Sequence, residues 1–177
     1  MKPTINLVIV LAGALLISIP AFSKVKTAIK MKTSENPDSN KVIARKLYEQ
    51  ILNTGKWELL SDIVSDEYIG PKGLKGPEGF AATVKPVLLA FPDVKWTIDD
   101  LIAEGDEVVV RWSWTGTNKN SFDGFPPTNK QVVHHAIHIF QFSGNKIIKA
   151  WMQSDRLGFY EQIGVISPDV VKPRVTN

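Results

Sequence analysis

The second half of the chain alternates apolar and polar residues, and this alternation constrains the fold more than any other feature. Residues 94–116 and 131–154 change character at every second position, which is typical of strands that bury one face. Short turn sequences at residues 104–106 and 144–145 interrupt these stretches. Because both turns suit hairpin connections, the pattern predicts two antiparallel β-hairpins.

Three amphipathic segments precede the strands, at residues 40–53, 56–64 and 76–91, with apolar side chains at helical spacing. Pro86 lies inside the third segment and predicts either a kinked helix or two short ones. Helices followed by antiparallel strands predict an α+β domain. We expect a cone-shaped, curved antiparallel sheet wrapped around the N-terminal helices and enclosing a hydrophobic pocket.

The first 23 residues look like a secretory signal peptide. Lys2 precedes an uncharged run of 15 residues, 5–19, and small residues then form a cleavage site near Ser23. A membrane anchor is the alternative interpretation, but a spanning helix needs about 20 apolar residues. We therefore expect a periplasmic or secreted protein that is not bound to a membrane after cleavage.

The rest of the chain predicts one folded domain between two flanking segments. Residues 24–37 read as a flexible basic linker, residues 38–164 as the α+β domain and residues 165–177 as a C-terminal tail. The basic residues are concentrated in the flanks, whereas residues 41–166 hold 14 Lys and Arg against 15 Asp and Glu. A nearly neutral domain argues against a nucleic-acid partner. The sequence has no cysteine, so it forms no disulfide.

Unusual polar residues lie along the second hairpin, "HIFQFSGNKIIKAWMQSD". A two-residue turn at Gly144-Asn145 is a favoured hairpin connection and fixes the pairing of the two strands. Side chains opposite each other then share one face. Counting outward from the turn, the predicted pairs on this face are His138 with Trp151, Ala136 with Gln153, and His134 with Asp155.

This face is the candidate site. Asp155 would act as general base and then as acid at an activated C–H next to a carbonyl. His134 would orient Asp155 or donate to the substrate oxygen, and His138 and Gln153 would stabilise enolate charge. The residues expected to contact the substrate are Trp151, Gln153, Phe140, Trp112 and Trp114. The ligand would be a small, largely apolar compound.

Simpler interpretations of the same residues stay open. A last amphipathic segment, "RLGFYEQIG", follows the last strand. Asp155 stands where that strand meets this predicted helix, so it can equally be a helix N-cap. The histidines can be structural, and the tryptophans can be core residues. His134 and His138 are about 13 Å apart along one strand and His135 points to the other face, so we expect no local metal site. We expect no cofactor either.

Several blocks of the sequence carry a family resemblance: "LYEQILNTGKWELLSDIVSDEYI", "GPEGF", "AFPDVKWTIDDLIAEGDEVVVRWSWTGT", "FPPTNKQV" and "WMQSDRLGFYEQIG". Over about residues 40–164 the chain resembles the SnoaL-like polyketide cyclases, also called ester cyclase-like proteins, of the nuclear transport factor two-like superfamily. The resemblance implies a cone-shaped α+β barrel with a deep pocket and a homodimer or higher homo-oligomer. It also implies a cofactor-free aldol ring closure in which the aspartate of W-x-x-x-D, here Asp155, is the acid–base residue.

Three functions are compatible with the sequence. The first is an enzyme that carries out aldol cyclisation, isomerisation or hydration–dehydration on a carbonyl compound in a closed pocket. The second is a non-catalytic periplasmic module that binds a small molecule or a protein. The third is a structural dimer whose apolar hairpin face serves only assembly.

Overall fold

The computed structural model describes residues 37–70, 73–167 and 169. These residues all fall within one compact unit of the chain, Met31–Asn177. The predicted signal peptide, nearly all of the predicted linker and most of the predicted tail lie outside the described residues. Export and cleavage near Ser23 therefore stay predictions. Within the described ranges, no helix has the length and apolar character needed to cross a membrane.

The helical segments come mainly before the sheet, as predicted. Their bounds are α1 Pro37–Arg45, a π-helix Lys46–Leu52, a 3₁₀ turn Trp57–Leu59, α2 Leu60–Ile63, α3 Gly76–Ala90 and α4 Arg156–Ile163. The π-helix continues directly from α1, so residues 37–52 form one rod with a widened last part. Helix α3 runs through Pro86 without a break, so the interpretation as two short helices is wrong.

Four antiparallel strands form the sheet. They are β1 Lys95–Glu104, β2 Glu107–Thr117, β3 Gln131–Ser143 and β4 Lys146–Ser154, and they lie in the order β1-β2-β3-β4. Because β1 and β4 are both edges, the described sheet is curled but unclosed. The two predicted hairpin turns are confirmed, since Glu104 pairs with Glu107 and Ser143 pairs with Lys146.

The core lies between the helices and the inner face of the sheet. Val108, Val110 and Phe140 on the sheet side and Leu47 and Ile51 on the helix side are all fully removed from solvent. Burial of such aliphatic and aromatic side chains contributes roughly 1.5–3 kcal/mol each. The predicted α+β class and the packing of a curved sheet on the N-terminal helices are confirmed.

A β-bulge in β4 changes the register that we predicted for the second hairpin. Phe142 pairs with Ile147, but Gln141 pairs with Lys149, so Ile148 is an extra residue. Beyond the bulge, side chains of β4 have exchanged faces. At the bulge, Val64 forms a bridge to Ile147. This backbone contact between Val64 and Ile147 is a physical reason why the regular pairing of β3 with β4 is interrupted here.

The predicted cross-strand pairs are therefore wrong. His138 pairs with Met152, and Ala136 pairs with Ser154. The amide of Asp155 donates to the carbonyl of His135 rather than lying opposite His134. A second bulge lies in β1, where the register shifts between Ile98 and Asp100.

Candidate functional site

A cavity of about 560 Å³ lies between the helices and the inner face of the sheet. Its wall is mostly apolar and comes from the rod of residues 37–52, from α3, from all four strands and from α4. Ile69 and Met152 border the cavity and are 64% and 54% exposed, so the cavity opens to solvent beside them. The size suits a drug-sized or smaller organic ligand.

The bulge determines which residues β4 contributes to this cavity. After Ile148 the inward positions are Ala150, Met152 and Ser154, and all three line the cavity. A strand without the bulge would have presented Trp151 and Gln153 instead. The wall opposite His138 is consequently apolar, because Met152 takes the position that we predicted for an indole.

Asp155 lies outside the cavity lining and is exposed. Its Oδ1 accepts a hydrogen bond of 2.9 Å from the amide of Gly158, so Asp155 is the N-cap of α4. The predicted pairing of Asp155 with His134 is wrong because the bulge in β4 shifts the register of the hairpin. The capping interpretation is confirmed, whereas a catalytic role for Asp155 stays a prediction.

His138 is the centre of a buried hydrogen-bonded cluster. Its Nδ1 lies 2.8 Å from the hydroxyl of Tyr48 and 3.0 Å from the indole Nε1 of Trp112. An indole N–H can only donate a hydrogen bond. Nδ1 of His138 must therefore be the acceptor, and the proton of the neutral ring lies on Nε2.

Burial keeps this cluster uncharged. It lowers the pKa of His138 to about 4 and raises the pKa of Tyr48 well above its usual value. Near neutral pH the phenol thus keeps its proton, and its O–H donates a hydrogen bond to Nδ1 of His138. Two donors from different elements fix the ring orientation and the tautomer.

The Nε2–H of His138 has no hydrogen-bond partner among the described residues. Among the described residues, the only buried side-chain polar atoms without a partner are Asn40 Oδ1 and His134 Nδ1. Nε2 of His138 has no hydrogen bond to a described residue and is not in that group, so it is accessible. Since His138 lines the cavity, this proton is available to a ligand.

Tyr48 reaches His138 because of where the π-helix places it. The residue lies on the Lys46–Leu52 segment, and its neighbours Leu47 and Leu52 also line the cavity. π-Helical turns are rare and are often found at functional sites. The tyrosine ring packs against Trp112 and Phe140, with centroids 6.2 and 6.5 Å away.

His134 lines another part of the cavity, among aromatic rings. Its ring centre lies 5.5 Å from that of Trp114 and 5.0 Å from that of Phe159. Burial lowers the pKa of His134, and the negative charge of Asp155 opposes this shift. The imidazole is therefore neutral near pH 7, and Asp155 is close enough to act on it electrostatically.

Some of the predicted substrate-binding residues line the cavity, and others do not. Trp112 and Trp114 are buried and line the cavity. Trp151 borders it as well, but its side chain is 41% exposed under the ammonium of Lys149. Phe140 packs in the core on the inner face without lining the cavity, and exposed Gln153 lies on the outer face. Their binding roles stay predictions.

Part of the cavity lining carries charged and polar groups that the sequence pattern did not indicate. Asp123, Arg156 and Tyr160 all line it. The hydroxyl of Tyr160 donates to Asp123 Oδ2, and Arg156 Nη2 donates to Tyr160 Oη at 3.0 Å. Only the sequence position of Arg156, in the first turn of a predicted helix beside the candidate hairpin, could have indicated it.

The described residues show no candidate metal centre, since no three His, Asp or Glu side chains converge within them. The cavity offers instead two neutral imidazoles, His134 and His138, in mainly apolar surroundings. One imidazole can donate a hydrogen bond to an oxygen atom, and the other can take up a proton.

The fold and this cavity agree with a family comparison. A family model described as SnoaL-like polyketide cyclase matches residues 42–163. The chain belongs to the SnoaL-like polyketide cyclase family. The match runs from α1 to α4 and includes the whole sheet, so the family resemblance predicted from sequence is confirmed.

Individual relatives of this SnoaL-like protein include two named enzymes and a solved structure. The aklanonic acid methyl ester cyclase AcmA of Streptomyces galilaeus is 28% identical over 137 residues, 74% of this chain and 95% of that protein. The aklanonic acid methyl ester cyclase DauD of Streptomyces sp. (strain C5) is 28% identical over 120 residues, 63% of this chain and 74% of that protein. TsrD from Streptomyces laurentii has a TM-score of 0.69 at 24% identity, covers 75% of this chain and 100% of its own, and supports the fold alone.

Proposed function

We propose that this protein binds a small, largely apolar carbonyl compound in the cavity and that the Nε2–H of His138 donates a hydrogen bond to the carbonyl oxygen. The observation that carries the proposal is the pair of donors on Nδ1, Tyr48 at 2.8 Å and Trp112 at 3.0 Å. They leave Nε2 as the protonated nitrogen. A neutral imidazole held in this way can polarise a carbonyl group without cofactors.

The chemistry that follows from this arrangement is proton removal next to the carbonyl. A hydrogen bond from His138 would stabilise the enolate oxygen, and His134, whose ring contacts the same Trp112 ring as His138 does, would take up the proton through an intervening water. Asp155 would act through His134, since its negative charge favours the imidazolium. Aldol cyclisation, isomerisation and hydration–dehydration all use an enolate of this kind. The relatives named aklanonic acid methyl ester cyclases support the first of these.

Exchange of ligand hydrogens for deuterium tests this proposal directly. α-Tetralone is a bicyclic aromatic ketone with exchangeable hydrogens next to its carbonyl, and tetralin is the matched hydrocarbon. We expect α-tetralone to quench tryptophan fluorescence more strongly than tetralin. We also expect the protein to accelerate deuterium uptake, measured by NMR in deuterated buffer. The aklanonic acid methyl ester is a second probe, for cyclisation.

Variants separate binding from proton transfer. His138→Gln should weaken α-tetralone binding and slow the exchange, whereas His134→Gln should keep binding and lose the exchange. His135→Gln changes an exposed histidine on the outer face and is the matched control. If all three variants exchange as the wild type does, the roles given to His134 and His138 are wrong.

Non-catalytic ligand binding is the second candidate, and one observation favours it. Among the residues that the structure describes, the only carboxylate lining the cavity is Asp123, which Tyr160 already engages. Asp155 caps α4 instead. If α-tetralone binds through His138 but no variant or condition gives deuterium exchange or cyclisation above the uncatalysed rate, the protein is a binding module.

A further inference from the structure

The end of the cavity formed by α4 holds a guanidinium group that is only partly engaged. Arg156 Nη2 donates to Tyr160 Oη at 3.0 Å, and the guanidinium lies over the Tyr160 ring at 5.6 Å from its centre. Its nearest carboxylate oxygen, on Asp123, is 3.8 Å from Nη2. That separation exceeds hydrogen-bond length. The hydrogen bond to Tyr160 orients the Arg156 guanidinium but uses only one of its N–H groups.

Most of the donors of Arg156 are therefore available. A guanidinium has five N–H groups, and within the described part of the chain one of them makes a hydrogen bond. The Arg156 side chain is 71% exposed, so the others reach solvent or the open cavity. Among the described residues that line the cavity, Arg156 is the only lysine or arginine. The fork of N–H groups suits a planar carboxylate.

Asp123 does not prevent the N–H groups of Arg156 from binding a carboxylate. Its Oδ2 accepts the proton of the Tyr160 hydroxyl, which leaves the arginine as the group with free capacity. Asp123 and Asp155 are the acidic residues that border the same helix end, and Asp155 is engaged with the Gly158 amide. A ligand anion would thus displace only a long, 3.8 Å contact from Arg156.

Resting on the proposed function, we propose that Arg156 binds a carboxylate of the ligand and that the ligand class is keto acids with an apolar body. His138 and Arg156 both line the cavity. Met152, the cross-strand partner of His138, lies two residues before the end of β4, and Arg156 begins α4 just beyond that end. The two donors therefore suit a compact ring system that carries its carbonyl and its carboxylate on different sides.

A matched pair of probes tests the assignment. Para-acetylbenzoate carries a ketone and a carboxylate across one ring, and its methyl ester has the same ketone without the charge. Tryptophan fluorescence titrations at pH 7 give the two dissociation constants. We expect the wild-type chain to bind the acid about tenfold more tightly than the ester, the value of one charge-assisted hydrogen bond.

Four variants complete the experiment. Arg156→Gln should remove the preference for the acid and leave the affinity for the ester unchanged, whereas Arg156→Lys should keep part of the preference. Asp123→Asn should strengthen binding of the acid, because it removes a repelling charge. Arg111→Gln changes an exposed arginine paired with Asp99 and Asp100 on the outer face and should keep the full preference.

The outcomes are distinguishable. If the ester binds and the acid binds no better, the role of Arg156 is wrong while the proposed function stands. If Arg111→Gln removes the preference as Arg156→Gln does, the effect comes from overall charge and the assignment also fails. If neither probe binds and His138→Gln does not change the binding of α-tetralone, the carbonyl site and the keto-acid proposal fail together.

Discussion

His138 combines a buried position with a titratable ring, and this has a consequence for acid stability. The ring has a pKa of about 4 in the folded chain, against about 6.5 when it is exposed. Between these values the unfolded state binds the proton more readily. Lowering the pH from about 6.5 to 4 should therefore destabilise the fold, by up to about 3 kcal/mol.

Urea unfolding at several pH values measures this effect. His138→Gln keeps an acceptor for Tyr48 and Trp112 but cannot be protonated, so its stability should depend less on pH in this window. His135→Gln, on the exposed outer face, should behave as the wild type. Equal pH dependence in wild type and His138→Gln would contradict the buried, neutral imidazole.

Asp155 gives a second prediction at the scale of one residue, because capping and catalysis make different demands on its carboxylate. Asp155→Ala should destabilise the protein by about 1 kcal/mol, since the amide of Gly158 loses its acceptor. Asp155→Asn should keep most of that stability, because an amide oxygen also accepts. Chemical unfolding measures both. A stable Asp155→Asn variant that binds α-tetralone but no longer exchanges it would support the catalytic prediction.

A close contact between α3 and the preceding segment gives a prediction at the scale of elements. A Cβ atom at Gly79 would lie 2.3 Å from the carbonyl oxygen of Leu74, and one at Gly70 would lie 2.4 Å from the carbonyl oxygen of Gly79. Both contacts involve backbone, which cannot rotate away. Gly79→Ala should therefore destabilise the fold by about 2 to 3 kcal/mol.

The same substitution should weaken ligand binding, because Gly70 and its neighbour Ile69 border the cavity. Urea unfolding and α-tetralone titration measure the two effects. Glu78→Ala alters the exposed neighbour on the same helix and should change stability by less than about 0.5 kcal/mol. Wild-type stability in Gly79→Ala would show that the segment can move aside.

The elements themselves could be predicted well from local sequence. Alternation along residues 94–116 and 131–154 predicted all four strands, and Gly144-Asn145 predicted the second turn. The bulge could not be predicted, because Ile148 continues the apolar pattern of β4. Only the bridge from the neighbouring Ile147 to Val64, more than 80 residues earlier in the chain, marks the position of the bulge.

The candidate site was predictable where it depends on alternation and unpredictable where it depends on tertiary contact. His134, His138, Trp112 and Trp114 follow from the inward face of strands β2 and β3, and they line the cavity. Tyr48 comes from a helical segment 90 residues before its partner His138. Its neighbours form an ordinary apolar stripe, so nothing local indicates that its hydroxyl meets an imidazole.

For the whole molecule, the outer face of the sheet bears on assembly. Ile102 pairs with Val109, Val109 with Ile139, and Ile139 with Trp151, which gives an apolar row across all four strands. Ile102 is 64% exposed. Exposed apolar patches of this kind mark interaction surfaces. We expect this face to join two copies of the chain in the predicted homodimer.

Analytical ultracentrifugation measures this assembly. Ile102→Lys places a charge in the row and should shift the chain toward monomer. Val42→Lys makes the same change at an equally exposed position on α1 and should leave the oligomer intact. A wild-type chain that is monomeric at micromolar concentration would contradict the prediction.

The bulge at Ile148 decides which of two linings β4 presents to the cavity. If Ile148 paired regularly, Trp151 and Gln153 would turn toward the ligand and Met152 would move to the outside, whereas deletion of Ile148 would preserve the pairing of Gln141 with Lys149 and keep Met152 inward. One strand sequence thus encodes two alternative linings, and the local pairing beside the hairpin turn selects one of them.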